Sequence, residues 1–386
     1  MAVSFLNREV SDLCLGKPAL RWISVDATVS EALTALKRSQ ETYLSVWKCA
    51  DESCICVGKI CTADVICFLC IKENLANPFK ALEDRVSEIL PKGASIVRHL
   101  DPKSSLLEAI DCILEGAQNL VIPIQNQRST YARKKFFNKP SSYCWITQED
   151  VVRFLLNSIG VFSPIPTSTI ESLNIIDRDI MTVHYHDPAS SALNYISRAL
   201  AEQTSVAVVD DEDRIIGEIS PFALACCDET AAAAIATLSA GDLMAYIDYG
   251  GPPEDLVETV KMRLEERNFG AMLELMEECS HSTMLSSCSS CSSEDEFRSV
   301  SGSGSSTRHG KSGRYFPARS SEAILCNPRS SLVAVMIQAL AHRVCCVWVV
   351  EEDHTLVGAV TLTGMLKVFR SVAGDHKQER DNFFRQ

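Results

Sequence analysis

The chain has 386 residues, a formal net charge of −13 and 46% hydrophobic residues. This length supports two ordinary domains with buried cores. The acidic balance argues against binding nucleic acid through a general basic field, and no apolar run approaches the roughly 20 residues of a membrane span. Arg8, Glu9 and Asp12 interrupt the N-terminus early, so we predict no signal or transit peptide and expect a cytoplasmic or nuclear protein.

The 17 cysteines raise the question of disulfides and metals. Many lie in apolar stretches, where a thiol behaves as a small buried hydrophobe. Without a secretory signal, a disulfide framework is not expected, and we predict reduced cysteines. Three pairs have the spacing of zinc half-sites: Cys54 and Cys56, Cys67 and Cys70, and Cys288 and Cys291. Since none has a second half at structural spacing, we predict no metal site.

Four segments share one pattern, which is a turn, an amphipathic helix, an apolar strand, a second strand and a new helix start. The predicted helix caps are Thr28, Ser105, Ser191 and Ser331. The predicted first strands are 43–47, 120–124, 205–209 and 345–350. The four second strands end in Gly58 to Asp64, Cys144 to Asp150, Gly217 to Ala223, and Gly358 to Gly364. One such unit cannot bury its own apolar face, so the copies are expected to pack together.

At these residues the chain resembles the CBS domain family, named for cystathionine β-synthase. The family pattern is a helix, an apolar strand, a turn, and a strand that ends Gly-apolar-apolar-Ser/Thr-x-x-Asp. The resemblance is closest to stand-alone plant proteins that consist of CBS domains and little else. It implies an α/β fold of four CBS repeats that form two tandem CBS pairs, or Bateman modules.

The chain order sets the predicted boundaries. They are 8–72 for repeat 1, 83–157 for repeat 2, 158–174 for a linker, 175–229 for repeat 3 and 238–372 for repeat 4. Repeat 2 contains a basic loop at 125–142, which is either a solvated loop, a docking loop for an acidic partner or a lid over phosphate. Repeat 4 contains an insertion at 250–321. Its first part is predicted to be a charged helix broken near Asn268, and its Ser-rich part from Ser280 is predicted to be disordered and phosphorylatable.

The resemblance implies that a CBS pair binds AMP, ADP or ATP in clefts between repeats. Its closing Asp would accept hydrogen bonds from the ribose hydroxyls. The nucleotide-binding residues it implies here are Asp64, Thr147 and Asp150. Such a site is chemically reasonable, because a strand that leads into a helix N-terminus offers N–H groups to phosphate, and a carboxylate can accept two donors from a diol. Repeats 3 and 4 have Ala223 and Gly364 at the acid position, so the second half is predicted not to bind nucleotide.

The alternative role for these aspartates is helix capping. Thr147 and Asp150 also have the spacing of a capping box, in which both residues only stabilise the start of a helix. No catalytic constellation is apparent, and we predict no enzyme and no cofactor. The predicted function is a regulatory adapter that senses adenosine nucleotide through its first pair and binds a partner protein, with homodimerisation left open. The alternative is a scaffold whose clefts bind no nucleotide.

Overall fold

A computed structural model describes residues 1–39, 42–50, 53–91, 97–124, 140–248, 252–287 and 321–383, with backbone alone for 280–287 and 374–383. Within these ranges the chain forms four three-stranded sheets. In each sheet a short first strand runs parallel to the central strand, and the third strand runs antiparallel to it. The predicted α/β fold with four repeats is therefore confirmed.

The first repeat follows helix α1 (Ala2–Leu6) and a 3-10 turn (Val10–Cys14). Its elements are β1 (Trp22–Ser24), α2 (Val29–Ser39), β2 (Leu44–Ala50), β3 (Ser53–Ile60) and α3 (Thr62–Leu69). The predicted cap is present, because the Thr28 hydroxyl accepts a hydrogen bond from the Glu31 N–H at 3.2 Å. The Glu31 carboxylate accepts from the Thr28 N–H at 2.9 Å and completes the capping box.

The second repeat follows three short helices, α4 (Lys72–Ala76), α5 (Pro78–Glu83) and α6 (Val86–Ile89). Its elements are β4 (Val97–His99), α7 (Leu106–Leu114), β5 (Asn119–Pro123), β6 (Tyr143–Thr147) and α8 (Gln148–Leu156). Ser105 caps α7 as predicted, since its hydroxyl accepts from the Glu108 N–H at 3.1 Å. Most of the predicted basic loop lies outside the described residues, which resume in a 3-10 turn (Pro140–Ser142).

The third repeat follows two 3-10 turns in the predicted linker (Ile159–Phe162 and Ile165–Thr167). Its elements are β7 (Thr182–His184), α9 (Leu193–Glu202), β8 (Val206–Val209), β9 (Ile215–Ile219) and α10 (Pro221–Ala225). The prediction that Ser191 caps the helix is wrong. A 3-10 turn (Ala189–Ala192) precedes α9, and the Ser191 hydroxyl donates to the Pro188 carbonyl at 2.7 Å instead.

The fourth repeat follows four helices, α11 (Ala231–Thr237), α12 (Ala240–Ile247), α13 (Glu254–Glu266) and α14 (Gly270–Ser287). Its elements are β10 (Leu325–Cys326), α15 (Leu332–His342), β11 (Cys346–Val350), β12 (Leu356–Thr361) and α16 (Leu362–Phe383). The predicted break separates α13 from α14, where Asn268 has φ 60°. Helix α14 ends at Ser287, inside the tract predicted to be disordered from Ser280, and residues 288–320 lie outside the described residues.

The helical part of this insertion belongs to the core. Helix α13 packs against α11, and α14 packs against α4 and α5. Their buried side chains belong to the core that joins repeats 1 and 3: Val260 and Leu264 of α13, and Met272, Leu275 and Met276 of α14. Burial of one such side chain contributes about 1.5–3 kcal/mol. The two helices therefore cover the junction between these repeats.

The sheets pack in two pairs, as predicted. Trp47 and Cys56 of repeat 1 are buried against Val97 and Val121 of repeat 2. Cys346 and Trp348 of repeat 4 are buried against Ala207 of repeat 3. The helices pack differently. One core joins repeats 1 and 3, and the other joins repeats 2 and 4, so every repeat contacts one neighbour through its sheet and another through its helices.

Within each pair, the segment that precedes one repeat binds to the other repeat. The Val10 N–H donates to the Ser104 carbonyl at 2.8 Å, and the Val86 N–H donates to the Ala27 carbonyl at 2.8 Å. The second pair repeats this exchange, for example between the Ile170 N–H and the Ser330 carbonyl at 3.0 Å. These backbone bonds tie the two repeats of a pair together.

The structure contradicts the prediction that all cysteines are reduced. Cys49 and Cys54 form a disulfide with a Cα–Cα distance of 4.1 Å. They are cross-strand partners in the β2–β3 hairpin, where opposite side chains approach closely. The sequence pattern did not reveal this pairing, because it predicts a first strand that ends at Trp47 and a second strand around Gly58, so neither cysteine falls in a predicted strand.

Candidate functional site

A cavity of about 650 Å³ lies where the four repeats meet. This volume is within the range of small-molecule sites. Its wall includes Tyr43, Lys59, Cys61 and Asp64 of repeat 1, Gln118, Asn119, Trp145 and Thr147 of repeat 2, Asn194, Ser197 and Gln203 of repeat 3, and Arg343, Val344 and Cys345 of repeat 4. We call this space the central cavity.

Asp64 lies in the first turn of α3, directly after β3. Its carboxylate accepts a hydrogen bond from the Cys61 N–H at 2.7 Å and so caps the helix. Burial raises the pKa of Asp64, while the hydrogen bonds from Cys61 and the charge of Lys59 partly oppose that rise. The Asp64 carboxylate is therefore poorly hydrated in the cavity wall. Hydrogen-bond donors of a ligand would stabilise its charge.

Lys59 brings a positive charge to the same wall. Its Nζ atom lies 4.7 Å from the centre of the Tyr43 ring, which favours a cation–π contact. Among the described residues, no carboxylate lies within 4 Å of this nitrogen. Burial lowers the pKa of Lys59, and the nearby Cys61 and Asp64 oppose this effect. An anionic group in the cavity would relieve the cost of burying this ammonium.

Three amide oxygens in the wall have no hydrogen-bond partner in the described part of the chain: Gln118 Oε1, Asn119 Oδ1 and Gln203 Oε1. Gln118 and Asn119 are only 4% and 5% exposed. The Gln118 amide nitrogen donates to the Leu200 carbonyl at 3.0 Å, which fixes the side chain. Buried polar atoms are normally paired, so these oxygens mark places where a ligand with N–H or O–H groups would complete the wall.

The three predicted site residues are not all brought together. Asp64 and Thr147 line the central cavity, whereas Asp150 does not. The Asp150 carboxylate accepts from the Thr147 N–H at 2.9 Å, and the Asp150 N–H donates to the Thr147 hydroxyl at 3.2 Å. The capping box considered from sequence is thus formed. In addition, Lys17 binds the other carboxylate oxygen at 2.5 Å, so Asp150 has little capacity left for a ribose.

We expect Asp150→Ala to lower the free energy of unfolding in urea by about 0.5–1.5 kcal/mol, because the Thr147 N–H at the start of α8 loses its carboxylate acceptor. Loss of the half-buried ion pair with Lys17 adds up to about 1 kcal/mol. The matched control is Glu149→Ala in the same turn, which removes a partly exposed side chain and its ion pair with Arg153, and a change within about 0.5 kcal/mol is expected. Equal effects of the two variants would contradict the structural role of Asp150.

The second half of the chain offers no equivalent carboxylate. Ser220 and Thr361 keep their capping bonds, from the Phe222 N–H at 3.2 Å and the Gly364 N–H at 3.0 Å. Ala223 and Gly364 stand at the acid positions. A smaller cavity of about 270 Å³ lies beside Thr361, and its wall carries Asp177, Asp179, Glu202 and Lys367. Its carboxylates make it a poor place for phosphate.

The sequence pattern missed Lys59 and Arg343, the two cations that the described residues contribute to the wall of the central cavity. Arg343 follows α15 and has φ 54°, and it forms no ion pair with a described residue. Lys59 could have been found, because it stands between Gly58 and Ile60 in a buried strand end where a charge is unusual.

The described residues contain no group of three His, Cys, Asp or Glu side chains arranged for a metal. None of the helices in the described residues is long and apolar enough to cross a membrane.

Comparison with known proteins agrees with this architecture. The CBS domain model matches residues 171–225. CBS domain-containing protein CBSX5 of Arabidopsis thaliana is 48% identical, over 96% of this chain and 98% of the relative. The SNF1-related protein kinase regulatory subunit gamma-like PV42b of the same plant is 20% identical, over 94% of each chain. A crystal structure from Methanocaldococcus jannaschii, described as a proposed archaeal homologue of g-AMPK, has a TM-score of 0.55 at 16% identity and covers 94% of this chain and 99% of its own, which shows the shared fold.

Proposed function

Because this chain belongs to the family of CBS domain-containing proteins, we propose that it is a non-catalytic regulatory protein that binds one adenosine nucleotide in the central cavity. The observation that carries the proposal is that one wall holds both Asp64 and Lys59, and that Lys59 has no carboxylate partner among the described residues. A carboxylate can accept both ribose hydroxyls, and an ammonium can bind phosphate. In the smaller cavity beside Thr361, the single cation Lys367 stands with three carboxylates, those of Asp177, Asp179 and Glu202.

The location of the cavity supports a regulatory role. All four repeats contribute to its wall, so a bound ligand would contact both pairs at once. Binding would then stabilise one arrangement of the two pairs relative to any other. We propose that a partner protein recognises this arrangement, consistent with the kinase regulatory subunit gamma-like relative. The predicted basic loop remains a candidate docking element for an acidic partner.

A nucleotide-independent scaffold is the second candidate. It is favoured by the caps, because Asp64 and Asp150 each have a structural role without any ligand. One experiment distinguishes the two candidate functions. Calorimetric titration of the full chain with AMP, ADP and ATP should show one site per chain for the regulatory protein, and no binding heat for the scaffold.

We expect Lys59→Met to weaken binding of a phosphorylated nucleotide at least about tenfold, because one charged hydrogen bond to phosphate is lost. Adenosine lacks phosphate and serves as the matched ligand, whose affinity should change little.

The affinity of the wild-type protein for a phosphorylated nucleotide should fall as the pH rises through the pKa of Lys59, which burial lowers below 10.5. The sign follows because only the protonated ammonium attracts phosphate. Burial raises the pKa of the neighbouring Cys61 thiol well above its usual value. An unchanged pH dependence in Lys59→Met would contradict this role.

A further inference from the structure

Gln118 of repeat 2 caps a helix of repeat 3. Helix α9 ends at Glu202, and the last carbonyl groups of a helix have no partner within it. The side-chain nitrogen of Gln118 donates to two carbonyls of this last turn, that of Leu200 at 3.0 Å and that of Ala201. The two repeats belong to different pairs, so this amide group joins the pairs at the wall of the central cavity.

This contact fixes the orientation of the Gln118 amide. A carbonyl oxygen only accepts hydrogen bonds, so the group that meets both carbonyls is the NH2 group and not the amide oxygen. The oxygen is therefore the free end of the side chain, and it can only accept. Gln118 is 4% exposed, and no donor among the described residues reaches its Oε1 atom. Gln118 thus holds one fixed, unpaired acceptor in the wall.

The wall of the central cavity is polarised. Lys59 and Asp64 belong to repeat 1, whereas the three unpaired amide oxygens belong to repeats 2 and 3. The C-terminus of α9 lies beside Gln118, and the negative end of its dipole disfavours phosphate there. A nucleotide whose phosphate binds Lys59 therefore places its base, the other end of the molecule, toward repeats 2 and 3.

An adenosine nucleotide has few hydrogen-bond donors to offer this end of the cavity. Near neutral pH its phosphate is ionised, and its remaining donors are the ribose hydroxyls and the 6-amino group of adenine. The proposed function assigns the hydroxyls to Asp64. The 6-amino group is then the donor that remains for the oxygen of Gln118.

We propose that Gln118 is a specificity-determining residue of the central cavity, and that its amide oxygen accepts a hydrogen bond from the 6-amino group of the bound adenine. This inference rests on the proposed function and names the residue that selects the base. Because the nitrogen of the same amide caps α9, the base would bind directly to the group that joins the two pairs.

The test is calorimetric titration of the full-length wild-type protein with AMP and ATP. Each is compared with the purine riboside nucleotide that carries the same phosphate and has hydrogen in place of the amino group. We expect the adenine nucleotide to bind about ten times more tightly, because only it supplies a donor to a buried acceptor. Equal affinities would overturn the role of Gln118 and leave the proposed function standing. Absence of binding by all four ligands would overturn both.

Gln118→Met keeps the length of the side chain and removes both ends of the amide. It should bind the two nucleotides of each comparison with affinities equal within about twofold. A purely structural role of Gln118 would instead lower stability and leave the tenfold preference unchanged. The comparison in wild-type protein does not depend on whether this variant folds.

Gln203→Met is the matched control. Gln203 directly follows α9 and also carries an unpaired amide oxygen in the wall of the central cavity. This variant should keep the preference for the amino group. Loss of the preference in Gln203→Met, with retention in Gln118→Met, would assign the amino group to Gln203 and overturn the proposal.

Discussion

Asp64→Asn should weaken nucleotide binding to the central cavity about ten- to 150-fold. A hydrogen bond to a charged group contributes about 1.5–3 kcal/mol, which corresponds to this change in the dissociation constant. The amide keeps one oxygen to accept from the Cys61 N–H, so the helix cap survives while the charge and one acceptor for the ribose are lost. Calorimetric titration of the purified variant with the nucleotide that binds wild-type protein measures the effect.

Asp150→Asn is the matched control for this prediction. It makes the same chemical change at the same position of the next repeat, but its carboxylate lies outside the central cavity and is bound by Lys17. We expect its nucleotide affinity to stay within about threefold of wild type, a difference below about 1 kcal/mol. If Asp150→Asn reduced binding and Asp64→Asn did not, the site would have been assigned to the wrong repeat.

Leu264→Ala should lower the free energy of unfolding by about 2–5 kcal/mol, the usual range for a buried leucine that leaves a cavity. Leu264 lies on α13, inside the insertion of the fourth repeat, and is completely buried against the core of the first and third repeats. A surface insertion would tolerate this change. Urea unfolding of the full chain measures the difference.

Met262→Ala on the same helix is the matched control, because this side chain is 53% exposed. Its effect should stay within about 0.5 kcal/mol. Small and equal effects of both substitutions would show that α13 lies on the surface and is not part of the core.

The repeats could be predicted from sequence because their signals are local. The Thr28, Ser105 and Ser331 caps, the helical stripes and the strand endings each lie within a few residues of one another. Ser191 misled the prediction, since the same turn sequence forms a 3-10 turn when its hydroxyl bonds to the preceding proline. The local sequence is therefore compatible with both outcomes.

The long-range features could not be predicted in this way. The sequence contains no sign that repeat 1 packs its helices on repeat 3 rather than on repeat 4. Nor does it show that Lys17 binds Asp150, because that contact depends on the exchange of N-terminal segments within a pair. Lys59 was accessible to sequence reasoning, and its charge between two apolar positions was the signal.

A crystal structure of the full chain with a slowly hydrolysed ATP analogue tests the central claim most directly. It should show one nucleotide per chain in the central cavity, with the ribose hydroxyls at hydrogen-bond distance from the Asp64 carboxylate and a phosphate beside Lys59. A central cavity that is empty at saturating nucleotide, or a ribose bound at Asp150 instead, would contradict the proposed function.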